Sequence, residues 1–97
     1  MDVRIQAIHF EISDKLVEFI NKKTDKLARR CPDIATVDVT LKVVKPETAM
    51  NKEAVVKITT PQYGEAVATK IADSFEEAYD LAIEALERQL QKSKDKK

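Results

Sequence analysis

The sequence predicts an α+β fold, a two-layer sandwich in which two helices pack on one face of a four-stranded sheet. Four short segments alternate apolar and polar residues, as strands with one buried face do. Two longer segments repeat apolar residues at spacings of three and four, which is typical of amphipathic helices. The segments follow in the order β-α-β-β-β-α, and 97 residues are enough for one small domain.

The chain begins with a predicted strand and a predicted helix. Residues 2–9 alternate, and their apolar side consists of Val3, Ile5 and Ala7. Ser13 is suited to cap a helix over residues 14–30, and Pro32 ends that helix. Its buried face is expected to contain Leu16, Val17, Ile20, Thr24, Leu27 and Ala28, with Cys31 just beyond.

Three more strands are predicted at residues 36–45, 53–60 and 65–72. Pro46 ends the first of them, and residues 47–51 form a loop. Residues 61–64 contain a proline and the only glycine of the chain, so they are expected to form a hairpin turn. These short links favour an antiparallel meander. The helical connection after the first strand should be right-handed and should place that strand parallel to its neighbour.

The last helix is predicted from Ser74 to about Lys92. Ser74 and Glu77 have the spacing of a capping box. The buried stripe consists of Phe75, Ala78, Tyr79, Ala82, Ile83, Leu86 and Leu90. The outward face carries the acidic residues Glu76, Asp80, Glu84 and Glu87. Arg88 and Lys92 lie on one flank of the helix, and residues 93–97 are predicted to form a basic tail after a single domain over residues 1–92.

The distribution of charge matters more than its total. Seventeen basic and seventeen acidic residues give a formal net charge of zero, so nucleic-acid binding requires charges that are separated over the surface. The end of the first helix has five basic residues against one acid, namely Lys22, Lys23, Lys26, Arg29 and Arg30. One interpretation is a solvated face with i, i+4 ion pairs, each contributing about 0.2–0.5 kcal/mol. The other is a phosphate-binding surface, comparable to that of double-stranded RNA-binding domains.

Residues that could support catalysis or hold a metal are scarce, so we expect no enzymatic activity and no cofactor. His9 is the only histidine, Cys31 is the only cysteine, and neither has a partner at the spacing of a metal site or a catalytic set. A single glycine cannot build a phosphate-binding loop. No segment has the apolar length of a membrane span or the features of a signal peptide, so we expect a cytoplasmic protein without membrane contact.

Three stretches carry motifs of a known family. Residues 11–13, EIS, lead into a helix that contains KTDKL at residues 23–27, similar to the family's E-I-[ST] and K-x-x-K-L. Residues 41–43, LKV, match the core of a strand, and residues 86–94, LERQLQKSK, match L-E-R-Q-L-x-K-x-K. The order of strands and helices is also the same. The chain therefore resembles the short ribosome hibernation-promoting factors, also called ribosome-associated inhibitors or sigma-54 modulation proteins.

The resemblance implies a non-enzymatic translation inhibitor. Such proteins bind the small ribosomal subunit in the channel used by mRNA and tRNA and silence ribosomes in stationary phase or stress. Ribosomal RNA would be contacted by Lys22, Lys23, Lys26, Arg29, Arg30, Arg88, Lys92 and Lys94. No small-molecule substrate is implied. Longer members carry a second domain that dimerises ribosomes, so a second factor is expected to be needed for dimerisation here.

The last helix departs from the family pattern. Where the family usually has D-M-Y-x-A-I, residues 74–79 read SFEEAY, and Ala85 stands where a lysine often precedes L-E-R-Q-L. Both changes reduce the positive charge of this helix. An alternative function is an RNA-independent protein-interaction or regulatory module. Its working surface would be the acidic helix faces, with Asp14, Glu18 and Asp25 on the first helix and the four outward acids on the last.

Overall fold

The computed structural model describes residues 2–44, 50–62 and 64–95, and in the last helix it describes side chains as far as Gln91. The elements are β1 (Asp2–Ile8), α1 (Asp14–Arg30), β2 (Thr36–Val43), β3 (Lys52–Thr60), β4 (Gly64–Ala72) and α2 (Phe75–Asp95). Their order, β-α-β-β-β-α, confirms the prediction from the sequence.

The four strands form one sheet in the order β1-β2-β3-β4. β1 pairs with β2 in parallel, and the two hairpin connections make the other pairs antiparallel. The predicted crossover therefore exists, because α1 carries the chain from the end of β1 back to the start of β2. Register follows the apolar alternation, so that Val39 lies opposite both Ile5 of β1 and Val56 of β3.

Both helices cover the same face of the sheet and enclose one hydrophobic core. The inward residues of β2 and β3 are essentially inaccessible to solvent; they are Val37, Val39, Leu41, Ala54, Val56 and Ile58. They pack in one cluster with the buried faces of α1 and α2. All seven residues of the predicted α2 stripe are buried, whereas Val17 and Ala28 on the flank of α1 are only partly buried.

A pair of buried hydroxyl groups joins the two helices inside this core. Thr24 Oγ1 of α1 lies 2.5 Å from Tyr79 Oη of α2, and it donates its own proton to the Ile20 carbonyl oxygen at 2.7 Å. Because threonine has one hydroxyl proton, Tyr79 must donate the bond that links the helices. The link satisfies two buried polar groups and holds the helices in one lengthwise register.

Side-chain caps begin both helices as predicted. Ser13 Oγ accepts a bond from the Leu16 amide at 3.2 Å, and Ser74 Oγ accepts one from the Glu77 amide at 3.1 Å. These bonds satisfy amide groups that have no partner within the helix. Each helix therefore begins close to the residue that the sequence predicted.

Several boundaries differ from the prediction. β1 ends at Ile8 because His9 has a positive φ of 63°, which breaks the extended conformation. β2 ends at Val43 rather than near residue 45. α2 continues to Asp95, beyond Lys92, since no proline or glycine interrupts it. Residues 45–49, which include the predicted stop at Pro46, lie outside the described residues, as does Tyr63 in the predicted turn.

Candidate nucleic-acid interface

Three of the predicted site residues are exposed cations on the outward face of α1. The helix buries Leu16, Ile20, Thr24 and Leu27 against the core. Lys22, Lys26 and Arg29 follow each other at spacings of four and three, so they share the opposite, solvent-facing side. This is the group of predicted site residues that the structure brings together on an open surface.

A shallow depression of about 330 Å³ lies along this face. Its lining residues are Phe19, Lys22, Lys23, Asp25, Lys26 and Arg29. The half-buried Phe19 forms an apolar part of the wall, and the Lys23 ammonium lies 5.6 Å from the centroid of its ring. Phe19 is not among the predicted site residues. Its position three and four residues before two lysines was the available signal.

Lys23 and Arg30, the other two predicted residues on α1, turn toward α2. Lys23 Nζ lies 3.0 Å from Asp80 Oδ1, and Arg30 Nη1 donates a hydrogen bond to Glu87 Oε2 at 2.9 Å. A second depression, of about 280 Å³, separates the helices at this level. It is lined by Lys23, Lys26, Arg30, Asp80, Ile83, Glu84 and Glu87. The cations of α1 are thus divided into an unpaired outward group and a group paired with α2.

The two helices have opposite charge. α1 contains six basic and three acidic residues, a net charge of +3. Residues 75–91 of α2 contain five acidic residues and Arg88, a net charge of −4. Apart from the ends of the helices, the layer that faces solvent is therefore basic along α1 and acidic along α2.

Arg88 lies on α2 apart from the cations of α1. It stands between Glu87, which contacts α1, and Gln89, whose side-chain amide donates to the Val67 carbonyl of β4 at 3.4 Å. Successive helical residues differ by about 100° in direction. Arg88 is therefore exposed on the solvent side of α2, with the acidic row between it and α1. The side chains of Lys92 and Lys94, also predicted as RNA contacts, lie outside the described ones.

The structure brings no catalytic or metal-binding set together in the part of the chain it describes. Those residues contain no cluster of histidine, cysteine and acidic side chains that could hold a metal ion. His9 is exposed in the turn after β1, and Cys31 is buried at the end of α1. Within the described ranges, no helix is long and apolar enough to cross a membrane.

Titration behaviour is altered at two places away from the cationic face. Burial raises the pKa of Tyr79 to about 12. On the sheet, a hydrogen bond and the charge of Glu65 raise the pKa of Lys57, whose ammonium lies 2.5 Å from that carboxylate. Neither shift falls on a residue of the candidate interface.

Comparisons with known proteins define the class of this chain. Residues 3–97 match the family described as Sigma 54 modulation protein / S30EA ribosomal protein. The chain belongs to this family, which is not a family of enzymes. A search of curated proteins finds no significant match.

Solved structures share the fold at low sequence identity. A ribosomal subunit interface protein from Coxiella burnetii aligns with a TM-score of 0.86 and 22% identity, over 98% of this chain and 99% of that one. The N-terminal domain of Thermus thermophilus Protein Y aligns with a TM-score of 0.78 and 20% identity, over 95% of this chain and 98% of that one. Both solved structures therefore share the α+β fold of this chain over nearly their whole length.

Proposed function

We propose that this protein is a ribosome hibernation factor. In this proposal it binds RNA of the small ribosomal subunit in the mRNA and tRNA channel and blocks translation in stationary phase or stress. Membership of the S30EA family supports ribosome association, and one structural relative is named a ribosomal subunit interface protein. The observation that carries the proposal is the unpaired cationic face of α1, formed by Lys22, Lys26 and Arg29.

Steric occlusion needs only a rigid body with a surface matched to phosphates. Lysine and arginine side chains bind the RNA backbone without base-specific or catalytic groups. The depression beside Phe19 gives the cationic face a concave shape, and the packed helix layer beneath it keeps the side chains at fixed spacings. RNA with A-form geometry is recognised mainly through its shape and its phosphates, which such a surface suits.

The other predicted RNA contacts are part of the proposal but have less structural support. Arg88 is exposed on α2, and the lysines at positions 92 and 94 continue that helix. Lys23 and Arg30 have carboxylate partners. We assign ribosome binding to residues 1–92, followed by a short basic tail over residues 93–97. The proposal implies a cytoplasmic protein and a separate factor for ribosome dimerisation.

The alternative function, a protein-interaction module that uses the acidic faces, has less support. Of the four outward acids on α2, Asp80 and Glu87 bind cations of the same chain. Of these four, Glu76 and Glu84 would then remain for a partner. We therefore favour the basic face as the working surface.

Co-sedimentation with purified small subunits in a sucrose gradient tests the proposal. Lys22→Glu with Lys26→Glu should abolish binding, because two phosphate contacts at roughly 0.1 M salt are together worth about 25- to 60-fold in affinity. Arg4→Glu with Lys42→Glu is the matched control. It changes the net charge equally, but both residues are exposed on the strands, where they alternate with inward-facing neighbours.

The control variant should bind as the wild type does and should inhibit translation in a purified system. Wild-type binding should also weaken with salt, with a slope of about −0.7 to −0.9 in log–log form per phosphate neutralised. Equal loss of binding in both variants would show that only net charge matters. Undiminished binding of the α1 variant would remove α1 from the interface.

A further inference from the structure

The two ion pairs between the helices follow one pattern. Lys23 and Arg30 are seven residues apart on α1, and their partners Asp80 and Glu87 are seven residues apart on α2. Seven residues correspond to about two turns, or roughly 10.5 Å. Because α1 and α2 run in the same direction, this equal spacing brings both cations level with their carboxylate partners. The buried Thr24–Tyr79 bond lies next to the first pair and fixes the register in which both pairs form.

We propose that Asp80 and Glu87 are specificity-determining residues that withhold Lys23 and Arg30 from RNA. This inference rests on the proposed function and refines it. Phosphate contacts on α1 are then left to its outward cations, among them Lys22, Lys26 and Arg29. The two carboxylates thereby lower the affinity for RNA and confine the backbone of the ligand to the outward side of α1, away from α2.

Electrostatics explains why the paired cations attract a phosphate less strongly. Each carboxylate oxygen lies about as close to its cation as a phosphate oxygen would. A phosphate that approaches Lys23 or Arg30 therefore meets the negative charge of this partner beside the cation. Glu84 adds a further charge to the same depression without forming an ion pair to any residue that the structure describes. The α2 side of the groove consequently repels the RNA backbone.

The test compares two double variants of α2 that change the net charge equally. Asp80→Asn with Glu87→Gln frees both cations, whereas Glu76→Gln with Glu77→Gln removes two exposed charges in the first turn of α2 that do not line the groove. Binding to purified small subunits is measured over roughly 0.05–0.3 M potassium chloride. The first variant should steepen the log–log salt slope by about 1.4–1.8, since each new phosphate contact contributes roughly 0.7–0.9. The second should change the slope much less.

The affinity itself gives a second expected result. At roughly 0.1 M salt the same two contacts correspond to about 25- to 60-fold tighter binding by the Asp80→Asn, Glu87→Gln variant. In the wild-type background, Lys23→Gln with Arg30→Gln should weaken binding less than about threefold, whereas Lys22→Gln with Lys26→Gln should cost about 25- to 60-fold. Equal slopes for the two α2 variants, or equal losses for the two α1 variants, would overturn the inference.

Retention on a heparin column separates this inference from the proposed function. Heparin is a polyanion, so the salt concentration at elution reports the available cations without a ribosome. Later elution of the Asp80→Asn, Glu87→Gln variant than of its matched control supports withholding, even if the wild type does not bind small subunits. If the Asp80→Asn, Glu87→Gln variant and its control elute at the same salt concentration, Asp80 and Glu87 do not withhold the cations, even if the wild type binds small subunits. Circular dichroism confirms that each variant is folded.

Discussion

The bond between Thr24 and Tyr79 provides a test of how the helix layer is held together. Tyr79→Phe removes one hydroxyl group and leaves the fully buried ring in place. Near neutral pH the lost hydrogen bond should cost about 1 kcal/mol of the free energy of unfolding. In a domain of this size that loss corresponds to a decrease of roughly 4–8 °C in the melting temperature.

The same substitution should have the opposite effect in alkali. Burial raises the pKa of Tyr79 from 10.0 to about 12 in the folded protein. Between these values the unfolded chain loses the phenolic proton while the folded chain keeps it, so wild-type stability falls as the pH rises. The penalty grows as the pH rises above 10 and approaches about 3 kcal/mol, the equivalent of two pKa units, above pH 12.

The Phe variant has no proton to lose at this position, so it avoids that penalty. Its deficit of about 1 kcal/mol at neutral pH should vanish between roughly pH 10 and 11. At about pH 11 and above it should be the more stable protein. The two proteins differ at this position alone, so the comparison isolates the contribution of the phenol.

Urea denaturation followed by circular dichroism at about pH 8, 10 and 11 measures these differences. Thr24→Val is the matched control. It removes the acceptor of the same bond but keeps the buried phenol, so it should be less stable at every pH and retain the alkaline sensitivity of the wild type. Parallel stability curves for the wild type and Tyr79→Phe would refute the reasoning, because they would show that the phenol ionises equally in both states.

Two further predictions concern the ends of elements. Ser74→Ala should lower the free energy of unfolding by about 1 kcal/mol because the Glu77 amide loses its cap. Ser74→Asp should retain most of the wild-type stability because aspartate also caps helices. Equal urea midpoints for Ser74→Ala and the wild type would contradict the capping role. Gly64→Ala should cost about 1–2 kcal/mol because Gly64 has a φ of +78°, although its Cβ would meet no atom within 4 Å. Gly64→Asn should cost less, and a melting temperature unchanged by Ala would exclude backbone strain.

The sequence predicted the elements well because each one carries its own local signal. Alternation marked the strands, the three-and-four spacing marked the helices, and Ser13 and Ser74 marked where the helices begin. Histidine is enriched among residues with positive φ, but most histidines do not adopt it, so His9 alone did not mark the end of β1. α2 extends to Asp95, beyond the predicted end at about Lys92, and residues 93–95 contain no helix-breaking proline or glycine.

The candidate site could be predicted only in part. Periodicity places Lys22, Lys26 and Arg29 on one side of α1 without knowledge of any neighbour. The partners of Lys23 and Arg30 are 57 residues away along the chain. Their pairing depends on how α2 lies against α1, which no local pattern specifies. The sequence therefore grouped five cations that the folded chain divides.

This division changes the meaning of a net charge of zero. Zero charge can arise from mixed signs on every surface, and such a protein would bind a polyanion poorly. Here a basic helix lies beside an acidic one, and the acids neutralise only those cations that face them. The three outward cations keep their local field, because the Debye length of about 8 Å at physiological salt screens α2 from a phosphate on the far side of α1. In the proposed function, an overall neutral chain thus binds RNA through one helix, and the adjacent helix limits how much of the RNA it contacts.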